Sequence, residues 1–235
     1  MLAKEGVYVY GPGDMSLVEF TDADGDLCED RAALHISAPL HLFGHGKVTI
    51  KPADAPPFTD WGIGPNKIAC CIYSTSPRGT LDGLSIEAPC GTIVDHWTYG
   101  VGIEYGDLRL QSCTISARKK SGGHAVLVSG PLTEPTIVGC QLLRGRRTVQ
   151  WQDGALGRLE GCTISGAELF GLALYGYSAP IGTNNFFKNT RAGIYIHHDV
   201  DALWTPGTGN RFKNIEVENV YDQRGKREED LYRED

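Results

Sequence analysis

Carboxylates are the first residues to weigh, because two of them held about 5 to 9.5 Å apart can cleave a glycosidic bond between them. Glu104, Asp107 and Asp153 are the catalytic candidates. Asp107 and Asp153 fall in one column two repeats apart, about 10 Å at a rise of about 4.8 Å per repeat. Their parity makes them corner residues, and Glu104 is the one carboxylate on its outward row, so the spacing assembles no acid pair. Gln150, Gln152, Tyr175, Tyr195 and His197 offer different chemistry. Aromatic faces stack on apolar surfaces and amides supply hydrogen bonds, so these five are expected to form a ligand-binding face. His197-His198-Asp199-Val200-Asp201 is the densest polar run, yet neighbours on a strand point apart and a metal would need ligands from elsewhere. Cys70 and Cys71 are adjacent and no Cys-x-x-Cys occurs. Neither a metal nor a cofactor is expected.

The elements that place these residues are repeats. Glu160-Gly161-Cys162-Thr163-Ile164 recurs in altered form, with copies ending at Ile50, Ile86, Ile115, Leu142, Ile164, Phe187 and Phe212, at spacings of 36, 29, 27, 22, 23 and 25. Two residues earlier stand Val48, Leu84, Cys113, Cys140, Cys162, Asn185 and Asn210. Residues i and i+2 of a strand share a face, so both columns point inward. A second register, Ile103, Val126, Val149, Leu172 and Ile194, repeats at 23, 23, 23 and 22. It sets Glu104, Leu127, Gln150, Ala173 and Tyr195 in one outward row and Gly106, Ser129, Gln152, Tyr175 and His197 in the next. No helical periodicity is sustained between Pro39 and Phe212, so the chain reads as an all-β stacked solenoid of about seven or more coils, roughly 35 Å long.

Residues 1–214 are expected to form the solenoid and 215–235, mostly charged, a polar cap or flexible tail. Asp22 to Asp30 reads as an acidic loop. Pro52 to Lys67, with Trp61, and Ala88 to Tyr99, with Asp95, His96 and Trp97, read as insertions. Cys113, Cys140 and Cys162 read as a stack of buried free thiols, and Asn185 and Asn210 continue their column as a hydrogen-bonding ladder.

The 235 residues are 41% hydrophobic, enough for one continuous core. A net charge of −7 disfavours nucleic acid. The first residues, Met1-Leu-Ala-Lys-Glu, lack the apolar centre of a signal peptide, and no apolar run is long enough to span a bilayer. A cytoplasmic or nuclear location is expected, with a virion-associated one as the alternative.

The marker Gly-Cys/Asn-x-Ile/Phe, followed 7 to 14 residues later by Gly-Ile/Leu-x-Leu/Ile, resembles the right-handed parallel β-helix repeat of the pectin-lyase-like superfamily. The resemblance covers about Gly6 to Asn214 and implies a single-stranded right-handed parallel β-helix. Glu5-Gly-Val-Tyr-Val9 with Pro39 to Ile50 resembles the opening coil of polysaccharide-active enzymes and of β-helix adaptors. Of the motifs shared by polygalacturonase-like hydrolases only Gly44-His45-Gly46 is present, where it reads as a corner. The epimerase-like Asp-Pro-His-Glu and the calcium-binding Gly-Gly-x-Gly-x-Asp repeat are absent. The expected function is therefore a non-catalytic recognition module presenting one β-helix face to a protein or glycan partner, with self-association through the solenoid ends as a further contact. A diverged polysaccharide lyase, hydrolase or epimerase, and a structural virion or fibre component, are the alternatives.

Overall fold

The computed structural model describes residues 2–10, 14–21, 27–53, 68–89, 97–117 and 123–224. In chain order its strands are β1 (Leu2–Ala3), β2 (Gly6–Tyr10), β3 (Ser16–Thr21), β4 (Leu27–Ile36), β5 (Leu40–Pro52), β6 (Ile68–Ser74) and β7 (Arg78–Glu87). There follow β8 (Trp97–Ile103), β9 (Asp107–Gln111), β10 (Thr114–Ser116), β11 (His124–Ser129), β12 (Thr136–Val138), β13 (Gln141–Leu143) and β14 (Arg147–Gln152). The last are β15 (Arg158–Glu160), β16 (Thr163–Ser165), β17 (Phe170–Leu174), β18 (Ile181–Thr183), β19 (Phe186–Ile196) and β20 (Arg211–Asp222).

These strands wind into a parallel β-helix with three faces. On the first, β1, the start of β5, the start of β7, β9, β12, β15 and β18 pair in sequence. The second stacks eight rungs: β2, the end of β5, the end of β7, β10, β13, β16, the start of β19 and the start of β20. The third runs from β4 through β6, β8, β11, β14 and β17 to the ends of β19 and β20. β3 joins β4 there as an antiparallel neighbour.

The marker column holds in register from Ile50 through Ile86, Ile115, Leu142, Ile164 and Phe187 to Phe212. Ile86, Ile115, Leu142 and Ile164 have no exposed surface, and the rings of Phe187 and Phe212 stack 5.2 Å apart. Beside them Cys113, Cys140 and Cys162 are buried free thiols. Where the column changes to asparagine, the amides take over backbone groups of neighbouring coils. Asn185 Oδ1 accepts from the Cys162 N–H at 3.0 Å, Asn185 Nδ2 donates to Leu159 O at 2.8 Å, and Asn210 Oδ1 accepts from the Asn185 N–H at 3.0 Å. The residue before this column turns the chain from first to second face at positive φ: 51° at Ser112, 61° at Gly139, 61° at Gly161 and 56° at Asn184. Glycine reaches that region without strain and asparagine more readily than other side chains, which accounts for Gly161 in the repeat.

The third face corrects the sequence reading by two residues at one coil. Val126 pairs with Val101, and Ile103 pairs with Val128. Glu104 therefore continues the row of Ser129 and Gln152, Gly102 takes the place assigned to it beside Leu127, and Tyr105 lies on the corner. The cause is unequal connections, residues 117–123 between β10 and β11 against 144–146 between β13 and β14. Leu27 to Asp30, read as loop, belong to β4, and Trp97 to Tyr99 open β8. Gly44-His45-Gly46 lies within β5, where the pairing with β7 shifts between Phe43 and Val48. Residues 215–222, assigned to the cap or tail, continue β20 along the third face. The acidic residues at 22–26, the insertion at 54–67 with Trp61, Asp95 and His96, and 225–235 lie outside the described residues.

A candidate binding face on the third sheet

The outer side of the third face carries its own apolar cluster, Val18, Ala32, Cys70, Tyr73, Tyr99 and Leu127, apart from the interior of the coil. His124 lies against it, stacked on Tyr99 with ring centroids 4.9 Å apart and on Trp97 at 5.5 Å. Its Nδ1 is 2.8 Å from Arg147 O, and its buried Nε2 has no hydrogen-bond partner among the described residues. Burial, and then the Arg147 charge, lower its pKa to about 3, so the ring is neutral near pH 7.

Arg147 begins a polar chain across the sheet. Its guanidinium lies 5.3 Å from the Trp97 ring centre and 5.2 Å from that of Tyr175, within cation–π range. Its Nη1 donates to Gln150 Oε1 at 3.1 Å, and Gln150 Nε2 donates to Gln152 Oε1. Gln152 Nε2 then donates to Asp153 Oδ2 at 2.7 Å, and Ser129 Oγ donates to the same oxygen at 2.8 Å. Below this chain Tyr195 stacks on Phe170 at 4.2 Å and on Tyr221 at 6.1 Å, with its hydroxyl on Gln223. Tyr175 meets His197 at 5.1 Å, and His197 Nδ1 lies 2.8 Å from Asp199 Oδ1 at an angle poor for a hydrogen bond.

Glu104 is the perturbed acid of the face. Burial raises its pKa to about 7; the Tyr73 phenol, close enough to donate to it, opposes that, while the nearby charges of Asp30 and Asp153 add to it. Glu104 can therefore hold a proton near neutrality.

All five predicted binding residues reach this face. Gln150 and Tyr195 are buried in it, only 6% and 4% exposed, and act as supports, while Gln152, Tyr175 and His197 remain accessible. Asp107 and Asp153 do not share a column: Gly106 is bridged to Thr133, which sets Asp107 level with Glu134, whereas Asp153 follows Gln152 at the end of β14. The misplaced coil produced that pairing. Sequence reading missed Trp97, His124, Arg147 and Phe170. Its signal was the row Tyr99, His124, Arg147, Phe170, spaced 25, 23 and 23 residues apart, with His124, Arg147 and Phe170 each three residues before Leu127, Gln150 and Ala173. Among the described residues no three His, Cys, Asp or Glu side chains converge as a metal would require.

This coil architecture has a counterpart among known families. A family model described as the right handed beta helix region matches residues 72–223, and the chain belongs to that family. The helix is thus a right-handed parallel β-helix. No curated protein and no solved structure matches the chain.

Proposed function

We propose that the protein is a non-catalytic recognition module that binds a protein or glycan partner on the accessible edge of the third face. The observation behind this reading is the row Gln152, Tyr175 and His197, half-buried but reached by solvent, while Gln150 and Tyr195 are locked beneath it. A ring and an amide already fixed by their neighbours lose little rotamer freedom on binding, which favours affinity at modest contact area. The test is a screen of the intact chain against a glycan panel and candidate proteins, followed by calorimetry with Tyr175→Ala and Gln152→Ala. Tyr175→Ala should weaken the selected ligand by about 1 kcal/mol or more with unchanged circular dichroism. Wild-type affinity in both variants would remove the assignment.

One observation favours the alternative of a diverged polysaccharide-cleaving enzyme. Glu104, with its pKa near 7, lies two rungs from Asp153, about 10 Å by coil rise, just beyond the range of inverting carboxyl pairs. Release of reducing sugar or unsaturated product from uronate polymers, abolished by Glu104→Gln, would establish that reading in place of the first.

A further inference from the structure

The corner that carries the chain from the third face to the first has a composition the sheet edge does not explain. Cross-coil hydrogen bonds fix its register: the Glu134 N–H donates to Gly106 O at 2.8 Å, the Leu156 N–H to Thr133 O at 2.9 Å, and the Ala179 N–H to Ala155 O at 3.1 Å. Gly106, Thr133, Ala155 and Ser178 therefore stack, and one residue earlier so do Tyr105, Leu132, Gly154 and Tyr177. Tyr105, Leu132 and Tyr177 are 42%, 68% and 75% exposed; the Tyr177 N–H donates to Asp199 O, so in the next coil the line ends at the buried Val200. Exposed apolar residues scattered singly are ordinary, but a line of them along one edge marks an interaction surface. Gly154 leaves a notch in the line, since a Cβ there would meet only Pro131, at 3.4 Å. Four coils make the ridge about 14 Å long.

The chain segments that form this corner are acidic, although Arg78 lies level with Asp107 at its first coil and Arg224 donates to Asp201 O at its last. Residues 104–107, 129–135, 152–157, 175–181 and 197–203 include Glu104, Asp107, Glu134, Asp153, Asp199 and Asp201 and no Lys or Arg. Asp107 and Glu134 stand side by side two columns from the ridge, with Arg78 on the other side of Asp107. We propose that this corner docks a protein segment in which Lys or Arg residues flank large apolar side chains. The apolar side chains cover Leu132 and Tyr177 and enter the notch at Gly154, and the cations lie along Glu134 and Asp153. A neutral glycan would leave the carboxylates unanswered, and an acidic glycan or nucleic acid would be repelled by them. The proposal rests on the recognition role above but uses a neighbouring surface.

A random dodecapeptide library selected on the immobilised full chain tests it. The selected peptide would then be measured by fluorescence polarisation beside a version with every Lys and Arg changed to Glu, a neutral xylan oligomer and a uronate oligomer. The expected consensus is basic and apolar. Affinity should fall tenfold or more in Tyr177→Ser and in Leu132→Ser, fall several-fold in Glu134→Lys, and weaken as salt is raised. These side chains are exposed, so circular dichroism should be unchanged. An acidic or uncharged consensus, no enrichment, binding of the sugars alone, or basic peptides indifferent to Tyr177→Ser and Leu132→Ser would each overturn the proposal. Tyr175→Ala separates the two surfaces: a ligand lost only in that variant upholds the sheet edge and refutes the ridge, and a peptide lost only in the ridge variants does the reverse.

Discussion

Glu104→Gln should make the protein more stable than the parent chain at pH 8, and by only about a quarter as much at pH 5. The Glu104 carboxyl, set in the wall beside Tyr73, has its pKa raised from 4.5 to about 7, chiefly by burial. A raised carboxylate pKa means that folding favours the protonated form. The resulting stability is intact below the unfolded value and is lost as pH rises through the folded one. At about 1.4 kcal/mol per tenfold change in proton affinity, the difference corresponds to about 3 kcal/mol, nearly all lost by pH 8. Glutamine keeps the shape and the hydrogen-bonding capacity and cannot ionise, so it removes the alkaline loss. Urea unfolding followed by circular dichroism from pH 5 to 8.5 measures this as the difference between variant and parent. Taking that difference also cancels His124, whose lowered pKa acts in the opposite direction, costing stability as pH falls below about 6.5. If the variant's advantage does not grow between pH 5 and pH 8, Glu104 is ionised in the folded protein and the acid-base character assigned to it is wrong.

Three further outcomes are expected. Ile164→Ala, which empties a fully buried position between Leu142 and Phe187, should cost about 2–5 kcal/mol, and Thr163→Ala on the outer side of the same strand under about 1 kcal/mol; equal shifts in urea midpoint would contradict the register. Asn185→Ala strands the Cys162 N–H and Leu159 O inside the coil and should cost about 2–4 kcal/mol, whereas a neutral result would mean that water replaces the amide. Cys113, Cys140 and Cys162 should resist a thiol reagent in the native protein and react fully in denaturant; a disulfide between any two would exclude a passive stack.

How far the sequence could be read depended on the length of each corner. The first-to-second corner is two residues in every coil from Ser112–Cys113 to Asn184–Asn185, so the marker column could be followed without a slip. Entry to the third face varies in length, and the same counting lost two residues at Ile103 while keeping the correct parity. Parity gave the direction of Tyr195 and Gln150 but not their burial. A side chain pointing away from the core is still covered when rings on the rungs about 4.8 Å to either side lie across it, as Phe170 and Tyr221 do over Tyr195. Arg147 does not stand out in the sequence because its value comes from Trp97 and Tyr175 on other coils, a juxtaposition that only the stacking of the rungs creates.

The face and the corner are chemically opposite and joined by one chain of hydrogen bonds. Arg147, at the start of β14, places a cation where the coil enters the third face, and Asp153, just past its end, places an anion where the coil leaves it. Gln150 and Gln152 connect them, each amide accepting on the Arg147 side and donating toward Asp153, so the two dipoles align with the field between the charges. Reversing either amide would set donor against donor at Arg147 or acceptor against acceptor at Asp153, which fixes both orientations and holds Gln152 at the surface in one rotamer. Tyr175, packed against Arg147 and His197, is fixed from both sides as well. The accessible row is thus ordered in the free protein, and a partner bound there as proposed, crossing from β14's start to the corner, would meet positive charge first and negative charge last, which would discriminate between its two orientations.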